Sequence, residues 1–254
     1  MATATAVLAA GAIPVIVDVD ESITIDPVAV ENAIGPCTKA VIPVHMWGAA
    51  CDMDAIMKIA ARRNLIVIED SCQGVGGGYE GRKFGSIGHV GCFSFNFYKN
   101  MTCGEGGGVA VNDDRLAKRV RGSIDPCHFY WNGRDDDEKP FAGNGARASE
   151  LMGAMLNVQL DRIDSMVSAM RAEKRQILGG TASLGNLGLK PSKMKSADHD
   201  CATDVMYSLP SAEAELRFTT VFPETATTTS MSWCAPLDGT GPASTCPTPG
   251  AVPR

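Results

Sequence analysis

Three residues with chemically useful side chains stand close to two apolar runs of the sequence. Asp70 ends the run "LIVIED", and Ser94 and Lys99 belong to the stretch "FSFNFYKN" at 93–100. Lysine usually remains hydrated on an exposed surface. A lysine that follows an apolar strand, among aromatic residues and just before the glycine-rich "GEGGG" at 104–108, therefore indicates a reactive amine.

These residue types would suit pyridoxal phosphate. The Lys99 amine could form a Schiff base with an aldehyde, and a carboxylate at Asp70 would keep a pyridine nitrogen protonated. The Ser94 hydroxyl could bind phosphate, the Gln73 amide could contact the ring oxygen, and glycines allow a bulky group to approach the backbone. Taken singly, each residue also fits a structural role, as a surface lysine, a helix N-cap or a hydroxyl bonded to backbone.

The elements that must position these residues alternate between strands and helices. Apolar runs predict strands at 13–20, 39–48 and 65–74, and stretches capped by Asp26 and Asp52 predict helices at 26–35 and 52–64. Such alternation predicts an α/β fold with a mostly parallel sheet covered by helices. Ligands bind such sheets at the carboxyl ends of the strands, and Asp70 lies at such an end.

Later segments predict a helix at 113–122, a solvated loop at 134–140 and one long helix at 146–178 that ends at Gly179 and Gly180. The methionines of the long helix favour core packing or a subunit contact over a cofactor site. The Thr- and Pro-rich tail at 219–254 shows no periodicity and is predicted to be disordered. We therefore expect three regions, at 1–145, 146–218 and 219–254.

The composition of the 254 residues excludes several classes of protein. Hydrophobic residues make up 44%, the net charge is −6, and there is no basic run to bind nucleic acid or a membrane surface. The nine cysteines form no C-x-x-C pair, which is typical of reduced thiols in the cytoplasm. The "DDDE" run at 135–138 predicts a solvated loop, and no metal site is expected.

Five quoted segments carry a family resemblance that runs from about Ala2 to about Phe218: "GAIPVIVDVD", "TKAVIPVHMWG", "DMDAIMKIAARRNLIVIEDSCQGVGGGYEGRKFGSIG", "CFSFNFYKNMTCGEGGGVAVNDDRLAKRVR" and "FAGNGARASELMGAMLNVQLDRID". On these segments the chain resembles the DegT/DnrJ family of pyridoxal-phosphate-dependent sugar aminotransferases, a branch of the aspartate-aminotransferase fold type. The resemblance implies a partial large cofactor-binding domain and a remnant of a small C-terminal α+β domain.

The resemblance also implies roles for four residues. Lys99 would form the internal aldimine and move the proton, Asp70 would pair with the pyridine nitrogen, Gln73 would meet the ring oxygen, and Ser94 would hold the phosphate. The implied substrates are a keto-sugar, nucleotide-linked in the family pattern, and an amino-acid donor. A homodimer in the cytoplasm is implied as well. Relatives with histidine at the lysine position dehydrate sugars instead, so Lys99 favours transamination.

The chain departs from the family pattern in three places. Its opening corresponds to the strand after the family's phosphate-binding turn, and Gly145 in "GNGAR" replaces a phosphate-binding asparagine. The family-like sequence at 198–218 then gives way to the Thr- and Pro-rich tail. We therefore expect an incomplete copy with weak cofactor affinity, and the alternative is a non-catalytic fragment of the same fold. His45 and Trp47 could touch substrate or be structural. Glu105 could contact ligand or brace its turn, whereas His89 and His128 are expected to be ordinary loop residues.

Overall fold

Short strands alternate with helices in the computed structural model, which describes residues 1–125, 127, 141–211 and 213–214. The helices are α1 (Ala2–Ala9), α2 (Pro27–Ala33), α3 (Met53–Arg63), α4 (Asp114–Ile124), α5 (Glu150–Leu160) and α6 (Ile163–Thr181), with 3₁₀ turns at Met46–Gly48 and Ala182–Leu187. The strands are β1 (Ala40–Val41), β2 (Ile66–Asp70), β3 (Gly78–Tyr79), β4 (Arg82–Lys83), β5 (Val90–Ser94), β6 (Gly107–Val111), β7 (Lys190–Pro191) and β8 (Tyr207–Ser208). No helix within these described ranges has the length and apolar character needed to cross a membrane.

The chain forms two compact units. The first comprises Met1–Ala182 and Ser192–Val205, and the second comprises Ser183–Pro191 and the described residues from Met206 onward. In the second unit β7 pairs with β8 in antiparallel register. All the predicted site residues belong to the first unit. The boundary at residue 145 stays a prediction, and the 219–254 tail and the 134–140 loop lie outside the described residues.

A four-stranded sheet in the order β1-β2-β5-β6 organises the first unit. The pairs β1–β2 and β2–β5 are parallel, and β5–β6 is antiparallel. Val67 of β2 is fully buried, as expected of a central strand covered on both faces. The predicted α/β fold with a mostly parallel sheet is confirmed.

Helix α3 shows why the capped stretches fold as predicted. The Asp52 carboxylate accepts a hydrogen bond from the Ala55 N–H at 3.0 Å, and Asn64 ends the helix in the left-handed conformation. The apolar face buries Met53 and Ile56 completely against the sheet cluster. Helix α2 likewise begins where Asp26 accepts from the Val28 N–H at 2.9 Å.

The strand predicted at 13–20 is wrong. Ile13, Val15 and Ile16 are 89%, 68% and 79% exposed, and within the described residues this segment forms only one bridge, between Val19 and Ile25. An apolar run becomes a strand only when a neighbouring backbone pairs with it. The sequence pattern reports the apolar side chains but not the presence of that partner.

The single helix predicted at 146–178 is divided into α5 and α6, with a break at Asp161–Arg162. At the end of α5 the Gln159 side chain accepts from the Thr102 N–H at 2.9 Å and donates to the Thr102 carbonyl. At the start of α6, Ile163 is buried against Gly76, where an added Cβ would lie 2.7 Å from Ile163 Cγ1. The break lets both helices meet these tertiary partners. Helix α6 then continues through the predicted stop at Gly179 and Gly180.

The methionines of these helices differ in their surroundings. Met166 and Met170 pack against the buried core cluster, which confirms the prediction of core packing for α6. Met155 on α5 is 51% exposed. Leu156 of α5 packs against the same cluster, so α5 is covered on one side, while Leu151, Met155 and Val158 on another side stay exposed.

The segment 196–203 is anchored to α6 by charged groups. Lys174 Nζ lies 2.7 Å from Asp200 Oδ2, with side-chain exposures of 7% and 1%. Arg171 donates to the backbone carbonyls of His199 and Asp200 at 2.5 and 2.7 Å. Charges buried in this way are stable only when they are paired. The pairing holds the 196–203 segment on the body of the first unit.

Candidate active site

The sheet brings three of the four predicted site residues to one edge. Asp70 ends β2 and stands opposite Cys92 of the parallel strand β5, and Ser94 ends β5 two residues further on. Lys99 lies in the turn that follows, and its N–H donates to the Asn96 carbonyl at 3.0 Å. Because parallel strands end on the same side of a sheet, a carboxylate, a hydroxyl and an amine share this edge.

The pKa of the Cys72 thiol depends on the charges at this edge. Burial, followed by a hydrogen bond and the charge of Asp70, raises the pKa of Cys72 to about 12. The ammonium of Lys99 lies near enough to oppose that rise. Burial and the Asp70 charge also raise the pKa of the Cys92 thiol. Both cysteines are therefore protonated at neutral pH and fill the site edge without reacting as thiolates.

The Asp70 carboxylate is held at both oxygens. The Thr3 hydroxyl donates to Oδ2 at 2.7 Å, and the Cys72 N–H donates to Oδ1 at 3.2 Å. The Asp70 backbone is fixed by the Pro43 carbonyl and the His45 N–H, at 2.9 and 3.0 Å. Within the described ranges no lysine or arginine pairs with this carboxylate, so its charge remains available to a cationic ligand group.

Gln73 is oriented by the turn at Met46–Gly48. The Trp47 N–H donates to Gln73 Oε1 at 2.7 Å, with Trp47 held in the left-handed region at φ 51° and ψ 34°. A non-glycine residue in that region is strained and persists only where its surroundings fix it. This bond fixes the orientation of the Gln73 amide, whose oxygen faces Trp47. The side-chain NH₂ is the donor of the amide, and it can bind a ligand.

Ser94 and Glu105 shape the turn that carries Lys99. Among the described residues, Ser94 Oγ accepts only a long 3.4 Å contact from the Asn96 N–H, so its hydroxyl proton remains available. The Asn96 amide donates to Glu105 Oε1 at 2.8 Å. Of the two roles left open for Glu105, the structure shows the bracing one.

Asn100 ties the same turn to the rest of the unit, and the sequence pattern did not single it out. Its side-chain NH₂ donates to the Val75 carbonyl at 2.7 Å and lies 3.3 Å from Cys201 Sγ. The Cys201 N–H in turn donates to the Gly48 carbonyl at 2.8 Å. The 196–203 segment therefore supports both the Lys99 turn and the turn that orients Gln73.

The glycines of "GEGGG" have a reason to be small that lies within the chain itself. An added Cβ at Gly106 would lie 2.7 Å from Cys103 Sγ, and one at Gly108 would lie 3.2 Å from the Phe95 ring. The sequence pattern predicts that these glycines make room for a cofactor. The structure shows that Gly106 and Gly108 also leave room for Cys103 and Phe95, while Gly104, at φ +88°, has open space around it.

Of the two roles predicted for His45, contact with substrate or a structural role, the structure shows the structural one. Its ring is fully buried and stacks on Phe84, with centroids 3.8 Å apart and an interplanar angle of 12°. Nδ1 accepts from the Cys51 N–H, so the ring proton lies on Nε2 and is donated to Glu69 Oε2 at 3.2 Å. His89 Nδ1 accepts from the Val67 N–H at 2.9 Å, and His128 lies outside the described residues.

Glu69, the neighbour of Asp70, is a buried hub of hydrogen bonds. Besides His45, the N–H groups of Gly85, Ile87 and Gly88 donate to its carboxylate at 2.9, 2.6 and 2.5 Å. Burial alone would raise its pKa, but the hydrogen bonds from His45 and from the backbone lower the pKa of Glu69 below its ordinary value. The charged form is thus the one that stabilises the fold.

Glu69→Gln should lower the free energy of unfolding by about 1.5–3 kcal/mol at pH 7, because an amide nitrogen replaces an oxygen that accepts hydrogen bonds. The folded-state pKa lies below the unfolded one. The stabilisation is therefore complete above the ordinary carboxyl pKa of 4.5 and is lost as the pH falls through the lowered value. Urea unfolding at several pH values should show the difference between wild type and variant narrowing below about pH 4.5.

Glu31→Gln is the matched control, since Glu31 forms only exposed ion pairs with Arg62 and Arg63. Its free energy of unfolding should stay within about 1 kcal/mol of wild type. A Glu69→Gln deficit that is constant with pH would contradict the role assigned to the charged carboxylate.

Two further features lie away from this edge. A cavity of about 520 Å³ lies where the segment after α2 meets the end of α3, and its basic lining residues Lys39 and Arg63 are exposed.

The motif "GNGAR" is fixed to α4, where the Asn144 N–H donates to the Ser123 carbonyl and Arg147 lies 3.6 Å from Asp125. Neither supplies a side chain recorded in contact with Asp70 or Ser94.

The side chains at the edge fit pyridoxal phosphate. Asp70 is a carboxylate without a basic partner, Gln73 and Ser94 retain free donors, and Lys99 is half-buried with no carboxylate paired to its amine in the described part of the chain. The buried Ser71 hydroxyl, beside Asp70, also lacks a partner among the described residues. In those same ranges no three His, Cys, Asp or Glu side chains converge as metal ligands would.

Comparison with known proteins agrees with this geometry. The model of the DegT/DnrJ/EryC1/StrS aminotransferase family matches residues 1–231. The chain belongs to this family. The DegT/DnrJ resemblance drawn from the sequence motifs is thereby confirmed.

Family members with known names or structures are similar over about half their length. GDP-perosamine synthase of Caulobacter vibrioides is 38% identical over 204 residues, which cover 78% of this chain and 53% of that protein. The dTDP-3-amino-3,4,6-trideoxy-alpha-D-glucose transaminase of Streptomyces venezuelae is 38% identical over 186 residues, or 72% and 48% of the two chains. The structure of NtdA from Bacillus subtilis with bound cofactor PMP superposes with a TM-score of 0.75 at 30% identity, covering 88% of this chain and 50% of that one. The chain thus spans about half the length of the curated DegT/DnrJ relatives that it matches.

Proposed function

We propose that this chain forms the lysine-bearing part of a pyridoxal-phosphate-dependent aminotransferase that moves an amino group from an amino acid to a keto-sugar. The observation that carries the proposal is that Asp70, Ser94 and the turn with Lys99 follow neighbouring strands at one sheet edge, with no ion pair to Lys99 from the described residues. Family membership supports the reaction class. Relatives named for GDP- and dTDP-linked sugars favour a nucleotide-linked keto-sugar as acceptor.

Each residue contributes one physical task to this function. When bound, pyridoxal phosphate supplies a ring that accepts the electron pair left when a Cα–H bond breaks. Lys99 Nζ would bind the aldehyde carbon of the cofactor, and as a free amine it would move the proton between the two carbons. Asp70 would hold the proton on the ring nitrogen by its charge, Gln73 would donate to the ring oxygen, and Ser94 would donate to the phosphate.

The assembly belongs to the same proposal. We place the protein in the cytoplasm as a homodimer, a state supported by the exposed apolar side chains of α5, such as Leu151 at 79% and Val158 at 62%. Light scattering of the purified chain tests the dimer, and a monomer at micromolar concentration would contradict it.

The function is tested by supplying the purified chain with pyridoxal phosphate, a panel of amino acids and GDP- or dTDP-linked keto-sugars. Mass spectrometry should detect the amino sugar and the keto acid in equal amounts. The Lys99→Ala variant provides the blank for non-enzymatic exchange. A cofactor-loaded chain that forms neither product with any pair would contradict the proposal.

A further inference from the structure

Thr3 donates a side-chain hydrogen bond to the Asp70 carboxylate from a distant part of the sequence. It lies in the first turn of α1, and its hydroxyl donates to Asp70 Oδ2 at 2.7 Å across 67 residues of sequence. Both residues are partly buried. The contact is therefore a tertiary one that places α1 beside the carboxyl end of β2.

This contact fixes the plane of the carboxylate. The torsion that turns an aspartate carboxylate is broad and two-fold, so a carboxylate held at one oxygen samples many orientations. With the Cys72 N–H on Oδ1 and the Thr3 hydroxyl on Oδ2, both oxygens of Asp70 are restrained. Each carboxylate oxygen has two lone pairs, so both can still accept from a ligand.

We propose that Thr3 is a positioning residue, whose hydroxyl orients Asp70 toward the pyridine nitrogen of bound pyridoxal phosphate. The inference rests on the proposed function, because it needs that cofactor to occupy the edge. Thr3 acts through Asp70 and touches no reacting atom. The charge that holds the nitrogen comes from Asp70, and Thr3 supplies its direction.

Thr5 offers a matched control on the same helix. Its hydroxyl donates to the Met1 carbonyl at 3.1 Å, within α1, and its side chain is exposed. Thr3→Val and Thr5→Val therefore make the same chemical change one half-turn apart. Thr3→Ser keeps the hydroxyl and serves as the rescue variant.

The test compares two cofactors by fluorescence titration: pyridoxal phosphate and its 1-deaza analogue, in which carbon replaces the ring nitrogen. Thr3→Val should weaken the binding of pyridoxal phosphate about 3- to 10-fold, the range of the net contribution of one typical hydrogen bond. It should leave the binding of the analogue unchanged, because the analogue has no nitrogen for Asp70 to hold. Thr5→Val and Thr3→Ser should bind both compounds as wild type does.

The other possible results show whether the role of Thr3 or the proposed function is wrong. Equal weakening of both compounds by Thr3→Val would mean that the hydroxyl only supports the fold, and no weakening of either would mean that it is dispensable. Both results overturn the role of Thr3 alone. A wild-type chain that binds neither compound would overturn the proposed function and, with it, this inference. Thermal melting of each variant without cofactor keeps a folding defect separate from these outcomes.

Discussion

Lys99→Ala is expected to abolish amino transfer, with a loss of at least about 10⁴-fold in kcat, the upper range for removal of a general acid–base group. The variant loses the amine that carries the cofactor and the group that holds the moving proton. Two other lysines of the first unit are held by ion pairs, Lys83 by Asp164 and Lys174 by Asp200. The absorbance of lysine-bound cofactor should disappear together with the activity.

Borohydride reduction followed by peptide mapping locates the lysine directly. Wild type reduced in the presence of pyridoxal phosphate should carry the label on Lys99. The matched control is Lys83→Ala, because Lys83 is 63% exposed and its ion pair with Asp164 contributes little to stability. Lys83→Ala should keep both the label and the activity. A label on Lys83 or another lysine in wild type would refute the assignment of Lys99.

Asp70→Asn is expected to lower kcat by about 10²- to 10³-fold, the effect typical of a preorganised charge in an active site. Asparagine keeps the size and an accepting oxygen but removes the charge that keeps a ring nitrogen protonated. The ring then accepts the electron pair less readily, so the step that breaks the Cα–H bond is slowed. Steady-state and single-turnover kinetics on the intact enzyme measure the loss.

The control for Asp70→Asn is an aspartate with an exposed partner. Asp54 lies on α3, is 56% exposed and pairs with Arg82 at 2.6 Å. Asp54→Asn should change kcat by less than about twofold, as expected for a surface ion pair. Near-normal turnover in Asp70→Asn would show that the carboxylate does not hold the ring nitrogen.

Local sequence signals predicted the elements that stabilise themselves by short-range contacts. Helix α3 carries its own N-cap and apolar stripe, and both lie where the sequence predicts them. Two predictions were wrong: the strand at 13–20 and the unbroken helix at 146–178. A strand needs a neighbouring backbone to pair with, and 13–20 has one bridge among the described residues. The helix breaks near Gln159, which bonds to Thr102, a residue far away in sequence.

The distinction between local and distant contacts also explains which residues of the candidate site were predicted. Asp70 follows from the rule that ligands bind at the carboxyl ends of parallel strands, whereas Ser94 and Lys99 follow from their residue types and the family resemblance. The register of β2 with β5 places Asp70 and Ser94 at one edge. Thr3 and Asn100 were missed because their partners, Asp70 and Cys201, are 67 and 101 residues away. No local pattern reports contacts of that separation.

The anchoring of the 196–203 segment has a consequence for how the first unit comes apart. Cys201 is linked to Gly48 and Asn100, and Lys174 links Asp200 to α6, so the supports of two site turns lie in one packed segment. Amide hydrogens of such linked pieces exchange with solvent in one cooperative opening. The Lys99 N–H, the Cys201 N–H and the middle of α6 should therefore share one opening free energy. Gradual warming would then disable the chemistry by releasing a single substructure, well before the central strands lose their protection.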